Sequence, residues 1–537
     1  MAHRLETGGR LIDRARPLGF RWDGARLPGF AGDTLASALL AADRVLVGRS
    51  FKYHRPRGIV AAGAEEPNAL VGLGEGARFE PNARATTTEL FDGLVATSQN
   101  AWPSLGFDVG AVNAAVANVA PVFPAGFYYK TFIHPRRAWK HVFEPVIRRA
   151  AGLGKAPAAP DPDSYEHFHA YCDVLVAGGG IAGLAAARAA AEAGARVLLC
   201  EQTPWLGGRA LAESDIVIDG EPAADWAAAQ AAALAAMPNV AIRTRCMAAG
   251  LYDHGFALLE ERLTDHLPAP DPALPRRRLW KVRATRTIAA AGAIERPLVF
   301  ACNDVPGVML ASAVRDYMAL WGVAPGRKIA VFTTGDEGYR TAIAAKAAGL
   351  DAVAIDPREE TDGPLAAEAA AQGVEIRRGM AVTQALGGQR VEAVEIAKLR
   401  ASGRSGGAVE RIEADCVAMA GGWTPAVHLW SHVGGKLRWD EARTLFRPDA
   451  LRAPIGADGA ANVMIAGAAN GDLLTAPALS GALRMGAQAA AECGHEGRAP
   501  EAPRVEEPGE GGFRPLWFAP GRGKYAAGTK HFVDFQN

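Results

Sequence analysis

A chain of 537 residues exceeds what one hydrophobic core serves, roughly 250–300 residues, so several domains are expected. Lys and Arg total 58, as do Asp and Glu, which argues against nucleic acid or an acidic membrane surface as a partner. Hydrophobic residues make up 49% and charged residues 22%, as in a soluble globular protein. No apolar run approaches a spanning helix, and Met1–Gly9 lacks the apolar stretch of a secretory signal.

Phe20–Gly24 reads as a strand entering a turn, and 33–42 as a helix with Asp33 or Thr34 as N-cap. The stretch 47–58 carries Arg49, Lys52, Arg55 and Arg57 together with His54. It could serve an anionic cofactor or a partner, but arginines anchoring the backbone of a solvated loop is the better reading. Residues 98–139 are aromatic-rich, with five rings between Phe123 and Phe132. Such density suits an interface, a cofactor wall or packing between domains. Lys155–Asp163 is a Pro-rich linker. His167 and His169 follow it without a third ligand in view, so no metal site is expected.

The organising stretch is 173–187. Four apolar residues, Val174–Ala177, run into Gly178, Gly180 and Gly183, which stand in G-x-G-x-x-G spacing. The first glycine permits a tight turn, the second lets backbone approach a pyrophosphate, and the third lets helix and strand pack closely. The helix opening at Ile181 and Ala182 would offer free N–H groups to phosphate. It is expected to run through Ala195, with Gly194 as a stop. Residues 195–201 then form a second strand ending in Glu201, 18 residues after Gly183 and close to where an adenosine ribose needs a carboxylate.

Gln202 follows that acid. Leu206–Arg209 is another glycine turn, of the kind that in two-domain flavoprotein-like folds lies over the nucleotide, which makes Gly208 and Arg209 candidates. Asp225–Met237 is an Ala-rich helix, and Trp280–Ala290 reads as strands leading to a domain crossing at 290–297 that includes Gly292. A second strand–turn–helix–strand unit spans 327–356. There Thr333 replaces the first glycine, Gly335 and Gly338 remain, and Asp356 ends the second strand. Thr requires φ < 0, so this turn is expected to be distorted and the unit to have lost a tight second nucleotide. Residues 416–425 return the chain to the first unit. Residues 462–472 form a strand and a G-x-x-x-G-D turn with Gly467 and Asp472; in flavoprotein-like folds such an Asp reaches the ribityl or second ribose region, and a polar cap for the following helix is the alternative. Residues 496–512 read as a linker. The six cysteines, Cys172, Cys200, Cys246, Cys302, Cys416 and Cys493, include no C-x-x-C pair and read as reduced thiols of a cytoplasmic enzyme.

Several motifs are more discriminating than the glycines. These are Gly32–Leu40, Ser50–Gly58, Glu65–Leu70, Ser98–Asn100, Phe123–Thr131 and Glu295–Phe300. With them the chain resembles the alpha subunits of heterotetrameric sarcosine oxidases. The resemblance implies a fold class of α/β with an α+β N-terminal domain: a cluster-less ferredoxin-like domain, then a two-dinucleotide-binding-domain fold of the flavoprotein disulfide-reductase type. The implied domains are 1–100 (ferredoxin-like), 101–170 (connecting segment and linker), 171–297 with 416–495 (first dinucleotide unit), 298–415 (second, inserted unit), and 496–537 (linker and the start of a folate-type domain).

It further implies NAD on the first unit, FMN shared at the interface with a beta subunit and FAD on beta, with gamma and delta subunits completing the complex. Sarcosine would be oxidised on beta, and the missing aminomethyltransferase-like folate domain puts methyl capture in doubt. The expected cofactor-binding residues are Gly178, Gly180, Ile181, Ala182, Gly183, Glu201, Gln202, Gly208, Arg209, Gly292, Gly467 and Asp472. No catalytic residue is assigned. A free-standing FAD/NAD(P)-dependent oxidoreductase and a non-catalytic, nucleotide-stabilised scaffold are the alternatives.

Overall fold

The computed structural model describes residues 3–119, 134–150, 152–400, 402–456, 458–509 and 511–521. The ring-dense stretch 123–132 and the tail 530–537 lie outside the described residues.

The N-terminal domain opens with a hairpin of β1 (Asp13–Trp22) and β2 (Ala25–Ala31). Asp23 (φ 46°) and Gly24 (φ 82°) make the turn, and positive φ at both central positions matches the right-handed twist of the strands. Helix α1 (Leu35–Ala41) is capped by Thr34, which exchanges hydrogen bonds with Ser37. Asp33 is not the cap. Its carboxylate accepts from Ser37 Oγ at 2.6 Å and from both terminal nitrogens of Arg4, at 3.1 and 2.7 Å. With β3 (Leu70–Leu73), β4 (Glu80–Arg84) and β5 (Val95–Thr97) the sheet order is β2-β1-β5-β3-β4, and every residue of α1 is buried.

The first dinucleotide unit is built on β6 (Tyr165–Ala177), α2 (Ile181–Glu192), β7 (Val197–Cys200), α3 (Ala223–Ala235) and β8 (Val240–Arg243). An antiparallel extension, β9 (Cys246–Tyr252) and β10 (Phe256–Arg262), joins through the long β11 (Arg277–Ala289). The order is β8-β7-β6-β11-β10-β9. Where strands are expected over Trp280–Ala290, a single 13-residue strand runs. Helix α2 stops at Glu192, three residues short of Ala195, because Gly194 takes φ 98° and turns the chain.

A short strand, β12 (Ala293–Glu295), leads into the second unit. That unit comprises β13 (Val308–Leu310), α4 (Ala311–Trp321), β14 (Lys328–Thr333), α5 (Glu337–Ala347), β15 (Asp351–Asp356), α6 (Pro364–Ala371) and β16 (Glu375–Arg378). An antiparallel trio follows: β17 (Met380–Gly387), β18 (Val391–Leu399) and β19 (Ser405–Glu413).

Strand β20 (Cys416–Ala420) corrects the expected boundary at 416. It lies between β13 and β14 in an all-parallel sheet of order β13-β20-β14-β15-β16, so the inserted unit extends through 420. All five of its side chains are buried, and an apolar run buried on both faces belongs in the centre of a parallel sheet. The crossing is a two-stranded ribbon in which β21 (Trp423–Pro425) pairs with β12, Glu295 opposite Trp423. The chain then forms the hairpin β22 (Leu437–Asp440) and β23 (Leu445–Pro448). It closes the first sheet with β24 (Val463–Ile465) against β11, and ends the unit with α7 (Thr475–Glu492).

The basic stretch at 47–58 serves as an anchor. Arg55 (2.7 Å) and Arg57 (2.6 Å) both donate to the buried Asp304, tying the N-terminal domain to the inserted unit. No helix among the described residues is long and apolar enough to cross a membrane, and no group of three or more metal-ligating side chains occurs among them.

Candidate functional site

The glycine turn after β6 is held by close approach rather than by side chains. Gly178 takes φ 111°, and a Cβ there would lie 2.4 Å from the Ala290 carbonyl oxygen. At Gly183 a Cβ would lie 1.8 Å from the Gly178 carbonyl oxygen. Gly180, by contrast, has no neighbour closer than 3.9 Å to an added Cβ, so its outer side is open. It caps α2 without any side-chain acceptor, which leaves the N–H groups at Ile181 and Ala182 available to an anion. Helix α2 packs on α7, and a Cβ on Gly486 would lie 2.2 Å from the Ala186 carbonyl oxygen.

The second glycine turn lies directly over the first. Gly207 N–H donates to Gly179 O at 2.8 Å, and a Cβ on Gly208 would come within 3.0 Å of Gly180 Cα. Glu201 immediately follows β7. One carboxylate oxygen accepts from Gly179 N–H (2.7 Å), the other from Thr203 N–H (2.8 Å) and Thr203 Oγ1 (3.0 Å). These bonds fix the carboxylate at the mouth of the glycine turn. Gly467 (φ 67°) faces the start of α2, where its Cβ would be 2.6 Å from Ala182 Cβ. Asp472 accepts from Asn470 Nδ2 at 2.9 Å.

These elements open onto one cavity of about 1360 Å³. Gly178, Gly180, Ile181, Ala182, Glu201, Gln202, Gly208, Arg209, Gly292 and Asp472 line it, while Gly183 and Gly467 buttress it from behind. The volume exceeds the roughly 300–1,000 Å³ of drug-sized pockets and admits an extended ligand.

Arg209 is less available than its place in the sequence suggests. Its guanidinium stacks on Trp423 at 3.8 Å and pairs with Glu213 and with Glu337 (2.9 Å). Arg315 joins Glu337 at 2.9 Å, and Arg340 approaches Asp215 at 3.3 Å. Burial pushes the Glu337 carboxyl up, but Arg315, Arg209 and Arg340 outweigh it and hold the group at about 2. Nearby, Glu295 accepts from Ser312 N–H at the start of α4 (2.7 Å), and burial raises its pKa to about 7. This network joins the two dinucleotide units, and the glycine pattern gives no hint of it.

The second unit presents a different picture. Thr333 Oγ1 donates to the Gly335 carbonyl at 2.6 Å, and a Cβ on Gly338 would sit 2.4 Å from Thr333 Cβ. Asp336 and Glu337 put two carboxylates at the start of α5, where a phosphate would need free N–H groups. Asp356, the expected ribose acid, is buried and already accepts from Tyr339 Oη (2.9 Å) and Arg358 Nη2 (2.6 Å).

The end of the segment read as a linker, with the residues that follow it, fills the remaining space. Arg514 N–H donates to Thr334 O at 2.8 Å, Arg358 donates to Gly512 O, and the Phe513 ring lies 3.2 Å from where a Gly335 Cβ would be. Upstream in the same segment, Val505–Glu506 pairs with Val217–Ile218, and Glu507 accepts from the first N–H groups of α7, Thr475 (2.9 Å) and Ala476 (3.1 Å).

The N-terminal domain docks beside Glu201. The Arg262 guanidinium bridges Thr87 O and Gln202 O, both at 2.9 Å, and Arg245 grips Glu89 with two bonds of 2.7 Å. Thr86, Thr87 and Glu89 line the same cavity.

Residues 15–101 match a family model described as a 2Fe-2S iron-sulfur cluster binding domain, and residues 173–236 match one described as an FAD dependent oxidoreductase. Sarcosine oxidase subunit alpha of Rhizobium meliloti (strain 1021) is 46% identical over 543 residues, covering 100% of this chain and 52% of that protein. The same subunit of Corynebacterium sp. (strain P-1) is 38% identical over 98% of this chain and 49% of its own length. This chain is related throughout to sarcosine oxidase alpha subunits. It spans about half the length of the curated alpha subunits it matches. L-proline dehydrogenase from P.horikoshii shares the fold, with a TM-score of 0.61 at 20% identity over 93% of this chain and 77% of that one. The alpha-type fold is thus a ferredoxin-type domain joined to a dinucleotide-binding oxidoreductase region.

Proposed function

We propose that this chain is the nucleotide-carrying alpha-type subunit of a sarcosine oxidase-type complex, and that the first site takes NAD. The observation that carries the reading is the Gly178–Gly183 turn with open backbone at Gly180 and a fixed Glu201 carboxylate beside it. Ile181 and Ala182 N–H groups would hold the pyrophosphate, and Glu201 the adenosine ribose hydroxyls. Gln202, Gly208, Gly292 and Asp472 would wall the site, with Gly183 and Gly467 behind. A carboxylate at the ribose repels a 2′-phosphate, so NADP is disfavoured.

In this reading the reacting flavins lie elsewhere: FAD on a beta subunit and FMN at its interface with alpha, with gamma and delta subunits completing the assembly. The complex would convert sarcosine, O₂ and water to glycine, formaldehyde and hydrogen peroxide. This chain's own residues bind and orient the nucleotide and keep water from it. A site loaded with FAD, as the family model over 173–236 would favour, is the second reading.

Mass spectrometry of the nucleotide released from purified protein separates the two: NAD is expected, and FAD as the sole species overturns the proposal. Replacing Glu201 by Ala should weaken NAD by about 1–3 kcal/mol, the scale of lost charge-assisted hydrogen bonds. Calorimetric titration of NAD into both proteins checks this.

A further inference from the structure

The N-terminal domain matches a cluster-binding family, yet its residues do not fit a cluster. A plant-type [2Fe–2S] centre takes thiolates spaced C-x₄-C-x₂-C with a fourth further on. In this chain that spacing falls on Ala61, Glu66 and Ala69, and no cysteine precedes Cys172. Ala85 is the natural fourth position, because its N–H donates to Ala69 O at 2.9 Å. All four side chains are buried, none more than 1% exposed.

A glutamate at 1% exposure is costly unless its oxygens are satisfied. Here the partners are backbone alone. One oxygen of Glu66 accepts from Val60 N–H (2.8 Å) and Ala61 N–H (2.7 Å), the other from Asn68 N–H (2.7 Å) and Ala69 N–H (3.0 Å). Four converging N–H groups are what a buried anion requires, and backbone hydrogen bonds to the sulfurs are the usual surroundings of a thiolate-held [2Fe–2S] centre.

We propose that Glu66 is a built-in replacement for the iron–sulfur cluster, its carboxylate gathering the loop amides that would otherwise face cluster sulfur. The loop has a second duty that explains why it is still held in shape. Val60 O accepts from Leu310 N–H (2.8 Å), just before α4 of the second unit, and Ala61 O from Tyr317 Oη (3.0 Å), within it. A Cβ on Gly58 would lie 2.7 Å from Pro306 Cα. Residues 62–65 line the nucleotide cavity. Glu66 is therefore a positioning residue: it fixes the loop that braces α4 and closes one side of the cavity.

Burial raises the Glu66 pKa to about 7 against the pull of the four N–H groups, so the test is made at pH 8, on the full chain. Glu66→Gln turns an amide NH₂ toward N–H donors. Hydrogen exchange in peptides covering residues 58–70 should quicken about tenfold or more, while peptides of the first dinucleotide unit are unchanged. Unchanged exchange at 58–70 overturns the proposal. The second arm is the variant A61C/E66C/A69C/A85C, treated with ferrous iron and sulfide. It should hold about two iron atoms per chain, with visible charge-transfer absorption and a paramagnetic signal on reduction. The wild-type chain treated alike should hold none. A cysteine variant that takes up no iron, folded or not, overturns the assignment of the four positions.

Discussion

Replacing Gly183 by alanine should abolish nucleotide binding and destabilise the first unit by at least about 3 kcal/mol. The added Cβ would stand 1.8 Å from the Gly178 carbonyl oxygen and 2.9 Å from its carbon, both backbone atoms, so no rotamer relieves the clash. Gly178 cannot retreat, because its N–H is bonded to Cys200 O at 2.9 Å and the Ala290 carbonyl closes its other side. Either α2 shifts away from β6 or the turn opens, and each displaces the N–H groups at Ile181 and Ala182. Gly180→Ala is the matched control. Its Cβ meets nothing nearer than 3.9 Å, so the fold should survive while the methyl intrudes on the ligand's path. Thermal unfolding with and without NAD distinguishes the two: the first variant loses stability and ligand response, the second only the response. Equal stability of both would refute the packing argument.

Arg315→Met should cost about 1–3 kcal/mol, because it removes a buried guanidinium from two half-buried carboxylates. Arg315 is 4% exposed and lies 2.9 Å from Glu337 and 3.5 Å from Glu213. Adding Glu337→Gln should restore part of the loss, and a double-mutant cycle measures the coupling. The pH profile follows from the same groups. Glu337 is held at about 2, below its ordinary 4.5, so its contribution is complete above pH 4.5 and is lost as pH falls toward 2. Glu295 is raised to about 7, so its contribution is complete below pH 4.5 and is lost as pH rises through 7. Asp316, half-buried on α4, shifts in the same direction as Glu295. The joint between the two units should therefore be firmest in mildly acidic solution, with the thermal midpoint lower on either side. A midpoint that rises steadily to pH 8 would contradict this.

The glycine cradle and Glu201 were legible in the sequence because their rules are local. A turn that needs positive φ, a helix that must touch a strand and an acid one strand later all write themselves into a short window. The inserted unit's end was harder to read. Cys416–Ala420 is an apolar run that would suit the parallel part of either unit's sheet, and only its partners at Val308–Leu310 and Ile329–Thr333 decide. Residues 496–512 read as a linker because single long-range bonds, such as those from Thr475 and Ala476 to Glu507, leave no periodicity. Arg209 stood correctly in its turn, yet its partners Glu337 and Trp423 lie far along the chain. Glu66 did carry a sequence signal, the five-and-three spacing with Ala61 and Ala69, visible only to a reader looking for cysteines that are not there.

The first unit is interrupted in sequence: β6 and α2 are made early, while β24 and α7 arrive nearly three hundred residues later. During synthesis the inserted unit, complete once β20 has left the ribosome, can fold while its host still lacks a strand and a helix. Until α7 appears, the side of α2 on which it packs stays uncovered, and Gly486 cannot yet seat against Ala186. The emerging chain thus passes through a stage in which a finished domain is flanked by an unfinished one exposing apolar surface. Chaperone demand should peak there, and slow codons placed just after β20 would lengthen that exposure rather than shorten it.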